Sequence, residues 1–139
     1  MILVERASVE QTRRFILQAQ KKGLSVEEKE TLSDYLVNST KLYIGTIEGH
    51  FCCAWGLIPP SLLSDRAYLW LWYADEVESH KFTFIRRSQI VVKEILEEYS
   101  VIVGFCEIAN PRAKRWLEWL GATFGNPIGK FFPFEIRKS

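Results

Sequence analysis

The 139-residue sequence lacks the features that would assign it to a membrane or nucleic-acid class. Its formal net charge is +1, so no global charge favours nucleic acid or an anionic membrane. No apolar run reaches the roughly 18 residues that a membrane span needs. The first ten residues also lack the basic start and long apolar centre of a signal peptide. These absences predict a soluble, intracellular protein without a membrane span, and they do not support nucleic acid as a specific ligand.

Cysteine and histidine are scarce, and neither has the spacing of a metal site. The odd number of cysteines, Cys52, Cys53 and Cys106, without CxxC or CxH spacing, fits reduced thiols in a cytosol. On a strand, Cys52 and Cys53 would face opposite sides of the sheet, so we expect ordinary core residues. The only histidines, His50 and His80, have no partner spaced for a metal or a catalytic triad. The sequence therefore predicts no metal.

The overall composition is that of a globular domain. Hydrophobic residues make up 47% and charged residues 25%, which excludes a disordered chain. The length allows one domain with a real core and is too short for two ordinary ones. No internal repeat, low-complexity tract or linker interrupts it. We therefore predict a single domain over residues 1–139.

Hydrophobic periodicity and capping signals predict a mixed order of elements. We expect strands at 1–5, 41–47, 50–58, 67–73, 101–108 and, after a short strand from 122, 131–136. We expect helices at 8–22, 26–38, 82–99 and 110–120. The strands at 67–73 and 101–108 are apolar throughout, which predicts burial on both faces. The strand–helix–strand unit that they bound should be parallel and right-handed.

The segment NPRAKRWLEWLGATF, residues 110–124, has the clearest local signals in the chain. Asn110 is a good N-cap, Pro111 suits the first helical position, and Gly121 can end the helix in a left-handed conformation. An apolar strand precedes this helix, and a small apolar strand follows it. The pattern therefore predicts a short helix between two strands.

This segment resembles the cofactor-binding core of the GNAT-type N-acyltransferases. Asn110, Ala113 and Gly121 match the family's Asn, Ala and Gly, and the apolar Ala122 follows. The predicted element order is similar to the family's over nearly the whole chain. The resemblance implies a GNAT-like fold of the α+β class (α/β three-layer), with a mixed central sheet and helices on both faces. It also implies acetyl-CoA as the cofactor if the protein is active.

The chain departs from the family pattern at the cofactor loop. In GNAT enzymes a Gly-rich turn between the central strand and the long helix offers backbone N–H groups to the pyrophosphate. The matching residues 76–84 contain no glycine, and Glu76 and Glu78 stand where an anion should bind. We therefore interpret the loop as degenerate and expect no cofactor. If one does bind, the resemblance implies contacts at Asn110, Ser79, His80 and Lys81.

The catalytic groups also depart from the pattern. The family's tyrosine, which protonates the leaving thiolate, is replaced by Leu117. A base for the attacking amine could be Asp75, Glu76 or Glu107, each near the end of a predicted strand. The alternative for each is a solvated loop carboxylate. We therefore assign no catalytic residue and leave enzymatic activity open.

Aromatic residues suggest contact surfaces instead. Trp116 and Trp119 lie three positions apart on the predicted helix, so we expect one to pack on the sheet and the other to be available to a protein partner. Because interiors do not tolerate large voids, we also expect Phe82, Phe84 or Trp72 to occupy the gap in which the family holds its cofactor.

The layout suggests a first functional hypothesis and two alternatives. An aromatic strand, a DEVE connection and a helix ending in WLGA resemble small acetyltransferase-like proteins of short-tailed bacteriophages, some of which are internal virion proteins. We predict a non-catalytic GNAT-like virion, assembly or interaction component, in the bacterial cytoplasm or packaged in a virion, with protein partners or an oligomer. The first alternative is an active acetyl-CoA-dependent N-acyltransferase with an atypical loop. The second is a host-directed phage factor that binds one bacterial protein.

Overall fold

The structure is a computed structural model that describes residues 2–19, 25–61 and 63–138, without the side chains of Ile2, Asp75, Glu76 and Glu78. Within these ranges the strands are Ile2–Arg6 (β1), Lys41–Ile47 (β2), His50–Ile58 (β3), Arg66–Tyr73 (β4), Val101–Glu107 (β5), Thr123–Phe124 (β6) and Phe131–Arg137 (β7). The α-helices are Val9–Ala19 (α1), Val26–Asn38 (α2), Lys81–Glu98 (α3) and Pro111–Trp119 (α4). A short 3₁₀ helix, Asp75–His80, precedes α3.

The strands form a mixed sheet in the order β1-β2-β3-β4-β5-β7-β6. Strands β4 and β5 are parallel, with Arg66 opposite Val101 and Tyr68 opposite Val103. The ladders β1–β2, β2–β3, β5–β7 and β6–β7 are antiparallel. The predicted α+β class, with its parallel strand–helix–strand unit, is confirmed.

Contacts divide the chain into two compact units, each described here by itself. The first comprises residues 1–58 and 70–83, and the second comprises residues 59–69 and 84–139. Strand β4 and helix α3 each contribute to both units. A single domain over residues 1–139 stays a prediction.

The first unit packs α1 and α2 against the antiparallel strands β2 and β3. Ser25 and Glu28 form the predicted capping box at the start of α2, each side chain accepting the other's backbone N–H. Tyr35 of α2 stacks on Trp70 of β4, and the indole N–H of Trp70 donates to Ser39 Oγ at 2.8 Å. This bond satisfies a buried polar atom and fixes the end of α2 against the sheet.

The second unit packs α3 and α4 together and pairs β5 with β7. Phe84 of α3 contacts the buried Trp116 of α4, with ring centroids 5.2 Å apart. Trp119, one turn further on, is 46% exposed. As expected, one tryptophan of the pair is buried and the other is exposed; packing of Trp116 on the sheet and contact of Trp119 with a protein partner stay predictions.

Most predicted boundaries agree with the structure. Helix α2 and strands β2 and β3 have the predicted limits. The turn Glu48-Gly49 has φ angles of 52° and 83°, as a two-residue hairpin of type I′ requires. Asn110 caps α4, and Gly121 follows it with φ 95°. The predicted end of the first helix, around Lys21 and Lys22, lies outside the described residues.

Several predictions about local structure are wrong. The connection 75–80 is a 3₁₀ helix that runs directly into α3, so α3 begins at Lys81 and not at Phe82. Strand β4 is not buried on both faces, because Leu71 is 42% exposed. Neither is strand β5, because Phe105 is 52% exposed and Glu107 is exposed. The alternating pleat turns these two side chains away from the core. Because the exposed Phe105 is itself apolar, this alternation is not visible in the hydrophobic pattern of the sequence.

Cys52 and Cys53 do not lie on opposite sides of the sheet as predicted. The register pairs Gly45 with Cys53 but Thr46 with Phe51, so Cys52 is an extra residue in a β-bulge. The two buried Sγ atoms are 3.8 Å apart as a result. A bulge breaks the two-residue period on which the prediction depended.

The close approach at Gly104 of β5 generates a stability prediction. A Cβ at this position would lie 2.6 Å from the ring of Phe134 and 3.0 Å from the carbonyl oxygen of Leu69. We expect Gly104→Ala to lower the free energy of unfolding by about 1–3 kcal/mol, measured by urea denaturation. The double variant with Phe134→Leu should recover part of the loss, because the smaller side chain leaves room. Strictly additive effects would show that the ring contact is not the cause.

Candidate functional site

The connection from β4 to α3 is where a GNAT cofactor would meet the backbone. Ala74 is extended, with φ −89° and ψ 160°, and its N–H donates to the carbonyl of Cys52 at 2.7 Å. The chain then turns at once into the 3₁₀ helix, in which the N–H of Val77 donates to Ala74 at 3.1 Å. Val77 is fully buried and anchors this turn. Lys81, with φ −56° and ψ −40°, already has α-helical angles.

This hydrogen bonding engages backbone N–H groups that a phosphate would need as donors. In a 3₁₀ helix an N–H bonds to the carbonyl three residues before it, so the donors from Val77 onward are directed along the chain, whereas the N–H groups of Asp75 and Glu76 precede the first such bond. An anion cradle at a helix start depends on N–H groups without internal partners. The 3₁₀ helix 75–80 therefore begins before α3 and engages the N–H groups from Val77 onward within the chain.

The side chains of the predicted cofactor contacts do not replace those donors. Ser79 is exposed, whereas His80 and Lys81 are half-buried. The ammonium nitrogen of Lys81 lies 5.4 Å from the ring centroid of Phe82, which is itself 68% exposed. A cation beside an aromatic face gains a weak attraction that holds it near the protein surface.

The predicted bases remain hypotheses. The side chains of Asp75 and Glu76 lie outside the part of the chain that the structure describes. Glu107 is exposed at the end of β5, opposite Phe131 of β7. Its carbonyl accepts the N–H of Asn110 at 3.0 Å, which places the strand end and the start of α4 side by side.

Asn110 has a structural role in the turn that it begins. Its side-chain oxygen accepts the N–H of Ala113 at 3.1 Å, which makes it the N-cap of α4. Seven residues on, Leu117 stands in the place of the family's tyrosine. Its side chain is half-buried, and its carbonyl accepts the N–H groups of Leu120 and Ala122, which end the helix. Leu117 carries no proton that could reach a leaving thiolate.

A thiol that the sequence had marked only as a core residue lies next to this cap. Cys106 Sγ is 3.7 Å from the carbonyl of Glu107 and 4.0 Å from that of Asn110. Burial raises the pKa of the Cys106 thiol, the charge of Glu107 adds to this effect, and Lys114 opposes it. The thiol is therefore protonated at neutral pH. The inward direction of the Cys106 side chain could be predicted from the alternation along β5. Its contact with Asn110 could not, because that contact depends on the turn between β5 and α4.

The three residues expected to occupy the cofactor gap have separate contacts. Trp72 stacks on Phe51 in the first unit, with ring centroids 5.5 Å apart, and Phe84 packs on Trp116 in the second. Phe82 is exposed, so its assignment to a filled gap is wrong. The ring of Phe82 lies instead on the surface of the first turn of α3, beside Lys81.

A groove that the sequence did not predict lies in the first unit. Its volume is about 480 Å³, and its lining comes from α1 and from the start of β3: Phe15, Gln18, Ala19, His50 and Phe51. These segments are far apart in sequence, so only the fold brings them together. Across the described ranges, no group of three or more His, Cys, Asp or Glu side chains could hold a metal ion. No helix in those ranges is long and apolar enough to span a membrane.

Comparison with solved structures assigns the fold. The chain is similar to a putative GNAT-family acetyltransferase from Desulfovibrio desulfuricans, with a TM-score of 0.75, 11% identity and 99% of each chain covered. It is similar to an IAA acetyltransferase from Bacillus cereus with a TM-score of 0.73 and 8% identity, and the match covers 99% of this chain and 100% of that one. It is also similar to a dodecameric spermidine N-acetyltransferase from Vibrio cholerae with a TM-score of 0.69 and 16% identity, and the match covers 98% of this chain and 93% of that one.

These similarities show that the chain has the GNAT acetyltransferase fold over nearly its whole length. At such low identities they show the fold and no activity. No family sequence profile matches the chain, and no curated protein sequence is significantly similar to it.

The cap geometry predicts a stability effect at Asn110. Asn110→Ala removes the acceptor for the Ala113 N–H and should lower the free energy of unfolding by about 1 kcal/mol, measured by urea denaturation. Asn110→Asp keeps an acceptor and should retain most of that stability. A fully stable alanine variant would contradict the capping role.

Burial of all three cysteines predicts low thiol reactivity. Cys53 has its pKa raised by its contact with Cys52 and by burial, and that of Cys106 is raised by burial. Because the thiolate is the nucleophile, the folded protein at pH 8 should react with a disulfide reagent far more slowly than unfolded protein. Unfolding in guanidinium should release three reactive thiols. Rapid labelling of the folded chain would contradict the described burial.

Proposed function

We propose that this protein uses the GNAT fold without acyl-transfer chemistry and acts by contacting another protein. The main support is the connection between β4 and α3, where the 3₁₀ helix Asp75–His80 takes the place of an open phosphate loop. A pyrophosphate that used the N–H groups from Val77 onward would have to displace the internal hydrogen bonds of this turn. Each bond lost without replacement costs more than a bond exchanged with water.

The missing proton donor supports the same conclusion. Leu117 stands where the family resemblance implies a tyrosine, and the Cys106 thiol, which lies beside the Asn110 cap, is buried with a raised pKa. A group with a raised pKa holds its proton, so Cys106 is a poor substitute for an acid that must transfer one. Both a cofactor cradle and an acid would have to be supplied by other groups.

The contact surface proposed for a partner includes Trp119 of α4. This tryptophan is 46% exposed, and its backbone carbonyl accepts from Gln89 Nε2 on α3 at 3.4 Å. Exposed tryptophan held on a rigid helix is a frequent anchor of protein interfaces, because a large ring is buried at little entropic cost. We further propose a bacteriophage context, with the partner in a virion or assembly intermediate, or a bacterial host protein. This context is supported by sequence resemblance alone.

A second candidate is an acetyl-CoA-dependent N-acyltransferase with an atypical loop, using Asp75, Glu76 or Glu107 as base. It is supported by the full-length similarity to three acetyltransferase structures. A further observation favours it: Leu71, in the middle of the interior strand β4, is 42% exposed. An apolar side chain on an interior strand is normally covered, so this exposure leaves room for a ligand beside the strand.

Calorimetric titration with acetyl-CoA and CoA separates the two candidates. We expect no saturable binding at millimolar ligand, because the N–H groups from Val77 onward are bonded within the chain and no glycine opens the backbone at 76–84. A GNAT acetyltransferase titrated under the same conditions provides the positive control. Micromolar binding of acetyl-CoA would contradict the first proposal. Acetyl transfer to an amine that is lost in Glu107→Gln would then establish the second.

The partner surface has its own test. Trp119→Ala should weaken binding to a partner by more than about tenfold, since anchor residues contribute at least ~2 kcal/mol. It should leave the unfolding midpoint nearly unchanged, because the ring is half exposed. The buried Trp116→Ala is the matched contrast and should destabilise the fold by about 3–5 kcal/mol. An unchanged affinity for the partner in the Trp119→Ala variant would exclude this surface as the contact site.

A further inference from the structure

A cluster of aromatic side chains lies exposed on the sheet of the second unit. The ring centroid of Phe105 on β5 is 6.2 Å from that of Tyr68 on β4 and 6.3 Å from that of Phe131 on β7. Phe105 is 52% exposed, and Phe131 is 41% exposed. Single exposed apolar side chains are ordinary, whereas a contiguous group of them marks an interaction site. The cluster is therefore a candidate contact surface.

The strand register places this cluster on one face of the sheet. Tyr68 lies opposite Val103 in the β4–β5 ladder, and Phe105 lies opposite Pro133 in the β5–β7 ladder. Side chains two positions apart on a strand, and those directly opposite on a neighbouring strand, point to the same face. Tyr68, Val103, Phe105, Phe131 and Pro133 therefore form one apolar surface, which we call the open face.

Charged side chains of both signs border the open face. Glu107 is opposite Phe131, and Glu135 and Arg137 continue the same face of β7. Arg137 Nε donates to Glu135 Oε1 at 2.9 Å, and these side chains are 62% and 38% exposed. Their hydrogen bond lowers the pKa of Glu135, and the charge of the exposed Arg66 at the start of β4 adds to this effect. Two carboxylates and two guanidinium groups thus balance at the border.

We propose that the open face binds a second copy of this chain, related by a two-fold axis, to form a homodimer. In a two-fold interface both copies use the same surface, so that surface must be complementary to itself. An apolar centre can meet an apolar centre, and a border with equal numbers of both signs can place each charge beside an opposite one. The open face has both features.

The same features make other partners poorer matches. Nucleic acid requires an excess of positive charge along its phosphates, which the balanced border lacks. A strongly acidic or strongly basic protein segment would bring like charges together on half of the border. A second copy buries Phe105 and Phe131 against apolar side chains and can pair the border charges at the same time.

Sedimentation equilibrium of the whole protein tests this assembly. We expect the mass to rise with concentration from 16.2 kDa toward twice that value, with a dimer dissociation constant of about 10–100 μM, as a small interface allows. Phe105→Ser should weaken the dimer at least tenfold, because every dimer loses the ring twice. Phe131→Ser removes the neighbouring ring and should have the same effect. A mass of 16.2 kDa at every concentration up to about 1 mM would overturn the proposal.

Two controls separate the open face from other exposed aromatic side chains. Phe82→Ser removes a ring that is 68% exposed on α3, outside the open face, and should leave the dissociation constant unchanged. Equal weakening by Phe82→Ser and Phe105→Ser would contradict the assignment to this face. Trp119→Ala on α4 should also leave the dimer intact, so the dimer and the partner surface proposed above can fail independently of each other.

The charged border has a test of its own. Arg137→Glu leaves three carboxylates and one guanidinium group at the border, so it should weaken the dimer about tenfold at low salt and less at high salt. The double variant Glu135→Arg/Arg137→Glu restores the balance and should recover most of the affinity. An unchanged dissociation constant in Arg137→Glu at low salt would contradict the charge matching on which the choice of a second copy depends.

Discussion

The hydrogen bonding of the backbone between β4 and α3 is the constraint on which the functional conclusion depends. Each N–H in this connection bonds within the chain, to a ligand or to water. Here the N–H of Val77 donates to the carbonyl of Ala74, and the buried Val77 side chain anchors the 3₁₀ helix Asp75–His80. The fold agrees with acetyltransferase structures over nearly the whole chain, so the proposed non-catalytic role depends on how many of these donors are already bonded within the chain.

Aromatic packing gives each unit of the fold its rigidity. In the first unit Tyr35 stacks on Trp70, and the indole N–H of that tryptophan is bonded to Ser39. In the second unit Phe84 packs on Trp116. These contacts bury large rings and satisfy their polar atoms, so they fix helix positions independently of any cofactor. A scaffold held in this way can retain its shape after catalytic groups are replaced, which is consistent with Leu117 in place of a tyrosine.

The sequence predicted the elements whose signals are local. Ser25 with Glu28 marked the start of α2, Glu48-Gly49 marked a hairpin, and Asn110 with Gly121 marked both ends of α4. Each signal depends on residues within a few positions of each other, which is why one sequence suffices.

The features that the sequence missed depend on contacts between distant segments or on a changed register. The bulge that brings Cys52 beside Cys53 follows from pairing with β2, and no local pattern encodes it. The groove between Phe15 and His50 exists only when α1 packs on β3. The 3₁₀ turn was hidden for another reason, because a run of polar residues is equally compatible with a loop and with a short helix.

Amide hydrogen exchange of residues 77–83, followed by NMR without any ligand, tests the closed turn most directly. If these N–H groups bond within the 3₁₀ helix and the first turn of α3, they should exchange at least tenfold more slowly than in an unstructured chain. Exchange at the unstructured rate would show that the donors are free to bind an anion. That result would contradict the closed loop and favour the acyltransferase.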